Sequence, residues 1–185
     1  ISDASLTSGD GLARMEEGCA VDQHGELEEV LGIKFKDYTH LDIALTHPSY
    51  INESAGDVLS SNMRLAFLGD AILGLIVTEN LYARFPQLSP GDLTQVRSRL
   101  GSGESLSKLA IGLGLDRRLL MGAGERGTGG AQSQRNLATV LEAVIGAIYL
   151  DLGLEKAREV VRRIMEEENA AIAKRGIPRD FKSIL

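Results

Sequence analysis

Two carboxylates in this 185-residue chain occupy places where an acid is expensive. Asp70 follows Gly69 inside an otherwise apolar stretch, and Glu142 lies between Leu141 and Ala143-Val144-Ile145. A carboxylate without a partner among apolar neighbours costs free energy, so each acid calls for something that stabilises its charge. A metal ion or ordered water meets that need, since hard divalent cations take oxygen ligands. An ion pair between Glu142 and an arginine such as Arg64 meets it equally, as does a hydrogen bond between the two acids. For Asp70 the plainest alternative is an ordinary aspartate on a helix surface. Other reactive residue types carry less. Cys19 is the single cysteine and has no disulfide or zinc companion. The glycine-dense stretch 122–130 lacks the lysine and the strand–loop–helix context of a phosphate-binding loop.

The elements that must position these acids read as helices throughout, with no sustained strand alternation. The first eighteen residues lack apolar periodicity, and the fold is expected to start near Gln23. Leu27, Val30 and Leu31 share a face until Gly32, and Leu41, Ala44 and Leu45 repeat the pattern before Pro48. Residues 64–85 form the longest apolar-periodic segment, ended by Phe85-Pro86 and expected to be buried on most of its surface. Ser89-Pro90-Gly91-Asp92 supplies an N-cap, a proline at the first helical position and an acid three residues after the cap, which predicts a helix over 90–100. Further helices are expected over 104–113, 137–150 and from 154 to about 168, with a turn-rich loop over 122–130. Glu166-Glu167-Glu168 reads as a solvated helix face.

With 43% hydrophobic and 25% charged residues, the chain is one domain long enough to bury a core. Lys+Arg 20 against Asp+Glu 26 leaves −6, so no basic excess points to a nucleic acid partner. No stretch is read as approaching the roughly 20 apolar residues of a membrane helix, and the single cysteine favours a reducing compartment. The expectation is a cytoplasmic protein, or one of an organelle stroma or matrix, with no membrane partner.

Ala44-Leu45-Thr46-His47-Pro48-Ser49-Tyr50 is followed by Asn62-Met63-Arg64-Leu65-Ala66-Phe67-Leu68-Gly69-Asp70-Ala71-Ile72-Leu73. Then come Leu81-Tyr82-Ala83-Arg84-Phe85-Pro86, the glycines and Glu125 of 122–130, and Leu137-Ala138 with Glu142-Ala143-Val144-Ile145-Gly146-Ala147-Ile148-Tyr149-Leu150-Asp151. In order and spacing these segments resemble the ribonuclease III family, from about Gln23 to Met165. The resemblance implies an all-α ribonuclease III endonuclease domain, homodimeric, over residues 23–170. It also implies a flexible arm over 1–22 and a linker over 171–185; Asp180-Phe181-Lys182-Ser183-Ile184-Leu185 resembles the approach to a double-stranded RNA-binding domain.

The chemistry so implied is metal-assisted hydrolysis of double-stranded RNA, with Mg²⁺ or Mn²⁺, leaving 5′-phosphate and 3′-hydroxyl ends with short 3′ overhangs. Typical members carry Glu, Glu and Asp at 63, 66 and 70 and Asp and Glu at 139 and 142, each set on one helix face. Here those positions are Met63, Ala66, Asp70, Thr139 and Glu142, and Pro90 stands where many bacterial members have a glutamate. Asp70 and Glu142 remain as catalytic and metal-binding candidates. Thr139 can hold a water but brings no charge. A rate loss of roughly a hundredfold or more is expected, at about 1.4 kcal/mol per factor of ten.

Phe67 reads as core from its type and as a contact with the other subunit from the resemblance. His47 reads as a hydrogen-bonded helix-end histidine. Arg97, Arg99, Arg126 and Arg135 flank the family's cleft and are candidates for RNA phosphate contact, with exposed surface arginines as the alternative. Three functions stand open: a weakened endoribonuclease, a non-cleaving RNA-binding or ribonucleoprotein scaffold, and a helical dimer module without RNA.

Overall fold

The computed structural model describes residues 17–53, 60–166 and 170. In chain order the helices are α1 (Glu17–Leu31), α2 (Thr39–Ala44), α3 (Pro48–Glu53), α4 (Met63–Arg84), α5 (Pro90–Leu100), α6 (Gly103–Gly112), α7 (Leu115–Arg118), α8 (Ala123–Gly127), α9 (Gln134–Leu152) and α10 (Leu154–Ile164). A short 3₁₀ turn, Gly130–Gln132, leads into α9. The one β-type contact among the described residues is a parallel bridge of Thr46 with Leu120, where Leu120 N donates to Leu45 O and His47 N donates to Leu120 O.

The helix boundaries follow from local chemistry. Ser89 caps α5 by accepting a hydrogen bond from Asp92 N at 3.1 Å, and its hydroxyl donates to the Asp92 carboxylate at 2.7 Å. Gly32 ends α1 with φ of +60°, a backbone that favours glycine. Glu28, buried near that end, accepts from Phe35 N, the Lys34 ammonium and the Tyr38 hydroxyl, which fastens α1 to the following chain.

Helix α9 is the axis of the core. Leu137, Val140, Leu141, Ala143, Val144, Ile145, Ala147 and Ile148 are all buried, and α2, α4, α6, α7 and α10 pack around it. Its closest neighbour is α4. A Cβ built on Gly69 would overlap the backbone carbonyl of Glu142, and one built on Gly146 would stand 2.5 Å from the Leu65 carbonyl oxygen. Glycine at both places lets the two backbones touch.

Several expectations are corrected. Helix α1 begins at Glu17, ahead of the expected start near Gln23. The stretch 122–130 contains α8 rather than only turns, because Glu53 accepts hydrogen bonds from Ala123 N and Gly124 N and stabilises a helical start. Helix α4 is not buried on most of its surface: Phe67 is 85% exposed, Tyr82 76% and Leu75 45%. Its length and composition do meet those of a membrane span, contrary to the sequence reading. The apolarity is accounted for instead by the core face that packs on α9 and by this exposed stripe. Residues 1–16 of the expected arm, Glu167, Glu168 and the expected linker 171–185 lie outside the described residues.

Gly69→Ala tests the crossing. The added methyl must push two helix backbones apart, so urea unfolding is expected to show a loss of about 3 kcal/mol or more, against no loss or a gain of up to about 1 kcal/mol for Gly112→Ala at the end of α6, where a Cβ meets nothing within 4 Å.

Candidate active site

The α4–α9 crossing brings the two acids together. The residue whose backbone carbonyl meets Gly69 is Glu142 itself, and Asp70 is the residue that follows Gly69 on α4, so both acids belong to the crossing. Asp70 is exposed and Glu142 partly buried. Burial, and then the negative charge of Asp70, push the Glu142 carboxyl up from 4.5 to about 7. The two acids therefore feel each other electrostatically across the helix pair. Among the described residues Glu142 makes no ion pair with Arg64, which sets aside the structural ion pair as the reason for this glutamate.

The remaining members of the expected set surround this pair without adding charge. Met63 is 47% exposed at the start of α4, Ala66 is buried one turn before Asp70, and Thr139 is partly buried one turn before Glu142. Among the described residues no three His, Cys, Asp or Glu side chains are grouped as a metal cluster would require. Two carboxylates still suit Mg²⁺, which keeps several waters and is often carried by one or two carboxylates with substrate phosphates supplying the rest. The donor chemistry thus fits a hard cation held mainly by water and by a substrate's phosphates.

The segment leading into α9 is tied down by contacts the sequence did not point to. Besides the two bonds from α8, Glu53 has Ser49 nearby, whose hydroxyl accepts from Gly122 N at 2.9 Å. His47 Nδ1 accepts from Ser49 N at 3.1 Å, in keeping with the helix-end histidine expected. Asn136 Nδ2 donates to Glu125 Oε1 at 3.0 Å and to the Gly130 carbonyl at 3.1 Å, which fastens the glycine-rich stretch to the first turn of α9. Glu53 and the Ser49 hydroxyl carry no periodic or spacing signal, because their partners are backbone groups of the 122–124 stretch far along the chain.

The four arginines are exposed, but they do not form one surface. Arg135 shares a helix face with Thr139 and Glu142, at four and seven residues' spacing on α9, and so belongs to the site's surroundings. Arg126 is partly engaged, its Nη2 donating to the Leu119 carbonyl at 3.2 Å. Arg97 and Arg99 lie in the last turn of α5, where cations favour the helix end. Arg97 lines a groove with Thr78, Leu81, Tyr82, Leu93 and Thr94, roughly 18 Å along α4 from Asp70 at 1.5 Å per residue.

The Glu142 shift carries a sign. Its folded carboxyl binds a proton more tightly than the unfolded one, so between about pH 4.5 and 7 the unfolded chain gives up its proton first and stability falls as pH rises. Above about 7 that loss is complete. Glu142→Gln is expected to raise stability at pH 8 by on the order of 1–3 kcal/mol and to change it little at pH 4.5, read by urea unfolding in EDTA. An equal effect at both pH values would count against the coupling.

The ribonuclease-III-like family profile matches residues 37–168. The chain is 42% identical to Ribonuclease 3 of Dehalococcoides mccartyi over 160 residues, covering 86% of this chain and 68% of that protein. It is 44% identical to Ribonuclease 3 of Carboxydothermus hydrogenoformans over 159 residues, with the same coverage. Among solved structures, the nuclease domain of ribonuclease III from Campylobacter jejuni superposes with a TM-score of 0.71 at 39% identity, covering 77% of this chain and 95% of that one. With its all-α fold and the acid-bearing α4–α9 crossing, the chain belongs to the ribonuclease III family.

Proposed function

We propose that this chain is a double-stranded RNA processing domain whose reaction site is reduced to Asp70 and Glu142. The observation that supports the reading is the close approach of Gly69, the residue before Asp70, to the Glu142 backbone, together with the influence of the Asp70 charge on the Glu142 carboxyl, although the neighbouring family positions hold Met63, Ala66 and Thr139. When bound there, Mg²⁺ or Mn²⁺ supplies an activated water and neutralises charge on the phosphodiester. Asp70 and Glu142 hold the cation, with Glu142 ionised for that purpose. Thr139 offers a hydroxyl to a water on the same face of α9. Arg135 supplies a phosphate contact from that face, and Arg99 and Arg126 add positive charge farther out.

The absence of ionisable groups at 63, 66 and 139 favours a second reading, in which the fold holds duplex RNA, or a ribonucleoprotein partner, without cutting it. Cleavage of a long RNA duplex at protein excess, first with Mg²⁺ and then with Mn²⁺, separates the two. Slow cutting is expected, about a hundredfold or more below a family member with the full acid set, and Asp70→Asn/Glu142→Gln is expected to abolish it. No cutting with either metal, alongside salt-sensitive duplex binding, would establish the scaffold instead.

The assembly is a twofold dimer through α4. Phe67, Ala71, Leu75, Thr78 and Tyr82 form its exposed stripe, with Gly74 half-buried beside Leu75. The stripe is symmetric about Gly74 and Leu75: residues 67 and 82, and 71 and 78, are equidistant from its middle. An antiparallel copy would therefore bring Phe67 to the partner's groove between α4 and α5, a self-complementary contact of the isologous kind. The Campylobacter jejuni nuclease domain is likewise described as having a region involved in dimer formation. In this arrangement Arg97 faces the partner subunit rather than RNA. Sedimentation is expected to show a dimer for the native chain and a monomer for Phe67→Glu; a Phe67→Glu chain that still sediments as the dimer would remove α4 from the interface.

A further inference from the structure

Helix α9 carries Arg135, Thr139 and Glu142 on one face, yet it starts without a side-chain cap: Ser133 precedes its first turn and makes no capping bond. Asn136 fixes that turn instead, its Nδ2 donating to Glu125 Oε1 at 3.0 Å and to the Gly130 carbonyl at 3.1 Å. Both partners are acceptors, which orients the amide with its nitrogen toward them. Glu125 fits closely against the loop, since a Cβ built on Gly130 would stand 2.6 Å from its side chain. No larger residue at 130 leaves the carboxylate that place.

Glu125 is itself held. The start of α8 is tied to Glu53, which accepts from Ala123 N and Gly124 N, and Arg126 Nη2 donates to the Leu119 carbonyl. A line of hydrogen bonds thus runs from the end of α3 through α8 to the first turn of α9. Arg135 stands at its end, next to Asn136. It is exposed, and its guanidinium makes no hydrogen bond or ion pair among the described residues. A long cationic side chain loses rotamer freedom when it takes a phosphate, and a fixed backbone beneath it confines that cost to the side chain.

We propose that Glu125 is a positioning residue for substrate binding: acting through Asn136, it sets the first turn of α9 so that Arg135 meets a phosphate of duplex RNA on the face that bears Glu142. The inference rests on the reading of that face as the duplex-binding side. It carries a sign that charge alone does not. Glu125 is an anion near the path of a polyanion, so by repulsion alone its removal tightens binding. As a positioning residue, its removal weakens binding.

Binding of a long RNA duplex in EDTA, followed as a function of salt with the full chain, tests it. Glu125→Ala is expected to weaken binding about fivefold at low salt and to lower the slope of log affinity against log salt by about one, as Arg135→Ala does. Glu125→Gln loses the charge but keeps an oxygen for the Asn136 amide, and is expected to restore binding to within about twofold of the native chain or better. Asn136→Ala cuts the same contact from the other side and is expected to match Glu125→Ala. In the Glu125→Ala background Arg135→Ala is expected to cost less than about twofold, while Arg99→Ala, on α5, costs the same in both backgrounds. Unchanged or tighter binding by Glu125→Ala overturns the proposal. So does an Arg135 effect that persists in full without Glu125, or an Arg99 effect that shrinks equally, which marks a general loss of structure. Native binding without the Glu125–Arg135 coupling leaves the RNA reading standing and removes this inference, whereas a native chain that binds no duplex removes both. Coupled binding with no cutting under Mg²⁺ or Mn²⁺ keeps the inference and selects the scaffold reading.

Discussion

Everything in this molecule that could do chemistry depends on two helix backbones touching. Ordinary helix pairs are held 8–10 Å apart by the side chains between them. Between α4 and α9 those spacers are missing, since Gly69 lies against the Glu142 carbonyl and Gly146 against Leu65. The approach does two things at once. It closes the apolar core around α9, and it delivers an acid from each helix to the same place at the rim. A wider spacing would take away both the burial and the nearby Asp70 charge that together lift the Glu142 carboxyl.

Much of this was readable from residue order. The ends of α5 were legible because Ser89, Pro90 and Asp92 act through nearest neighbours, and α5 runs over 90–100 as those residues dictate. The apolar period gave α4, α9 and α10 to within a few residues. What periodicity cannot convey is which apolar face has a cover. Phe67, Leu75 and Tyr82 satisfy the helical pattern as well as Ile72 and Ile76 do, yet the first three face outward and the latter two are buried. Only the packing of α9, and not the composition of α4, distinguishes them.

The site was legible in part for a similar reason. Asp70 and Glu142 are conspicuous as acids among apolar neighbours in the sequence, and both fall at the α4–α9 crossing, but Asp70 is exposed there and only Glu142 is partly buried. Arg97 was grouped with Arg135 through the family resemblance, and in space it lines the groove beside Tyr82, at the far end of α4. Glu53, at the end of α3, and Asn136, in the first turn of α9, left no trace in the pattern, because a polar residue at a helix end looks like any solvated one until its partner is known.

The division of labour at the crossing has a consequence for how such a chain can change over generations. The contact that builds the fold is made by glycines and backbone carbonyls, and the acids contribute nothing to it. Packing like charges at a partly buried rim costs stability, so a mutation that removes one of them relieves repulsion while the scaffold stays whole. Proteins remain near a threshold of stability under mutation, and selection restores activity only where activity is needed. In a lineage under relaxed demand for cutting, drift would therefore strip acids from the rim first and touch Gly69 and Gly146 last. In this chain Gly69 and Gly146 leave no room for a side chain, whereas the faces that bear Asp70 and Glu142 carry the uncharged Met63, Ala66 and Thr139 without disturbing the crossing.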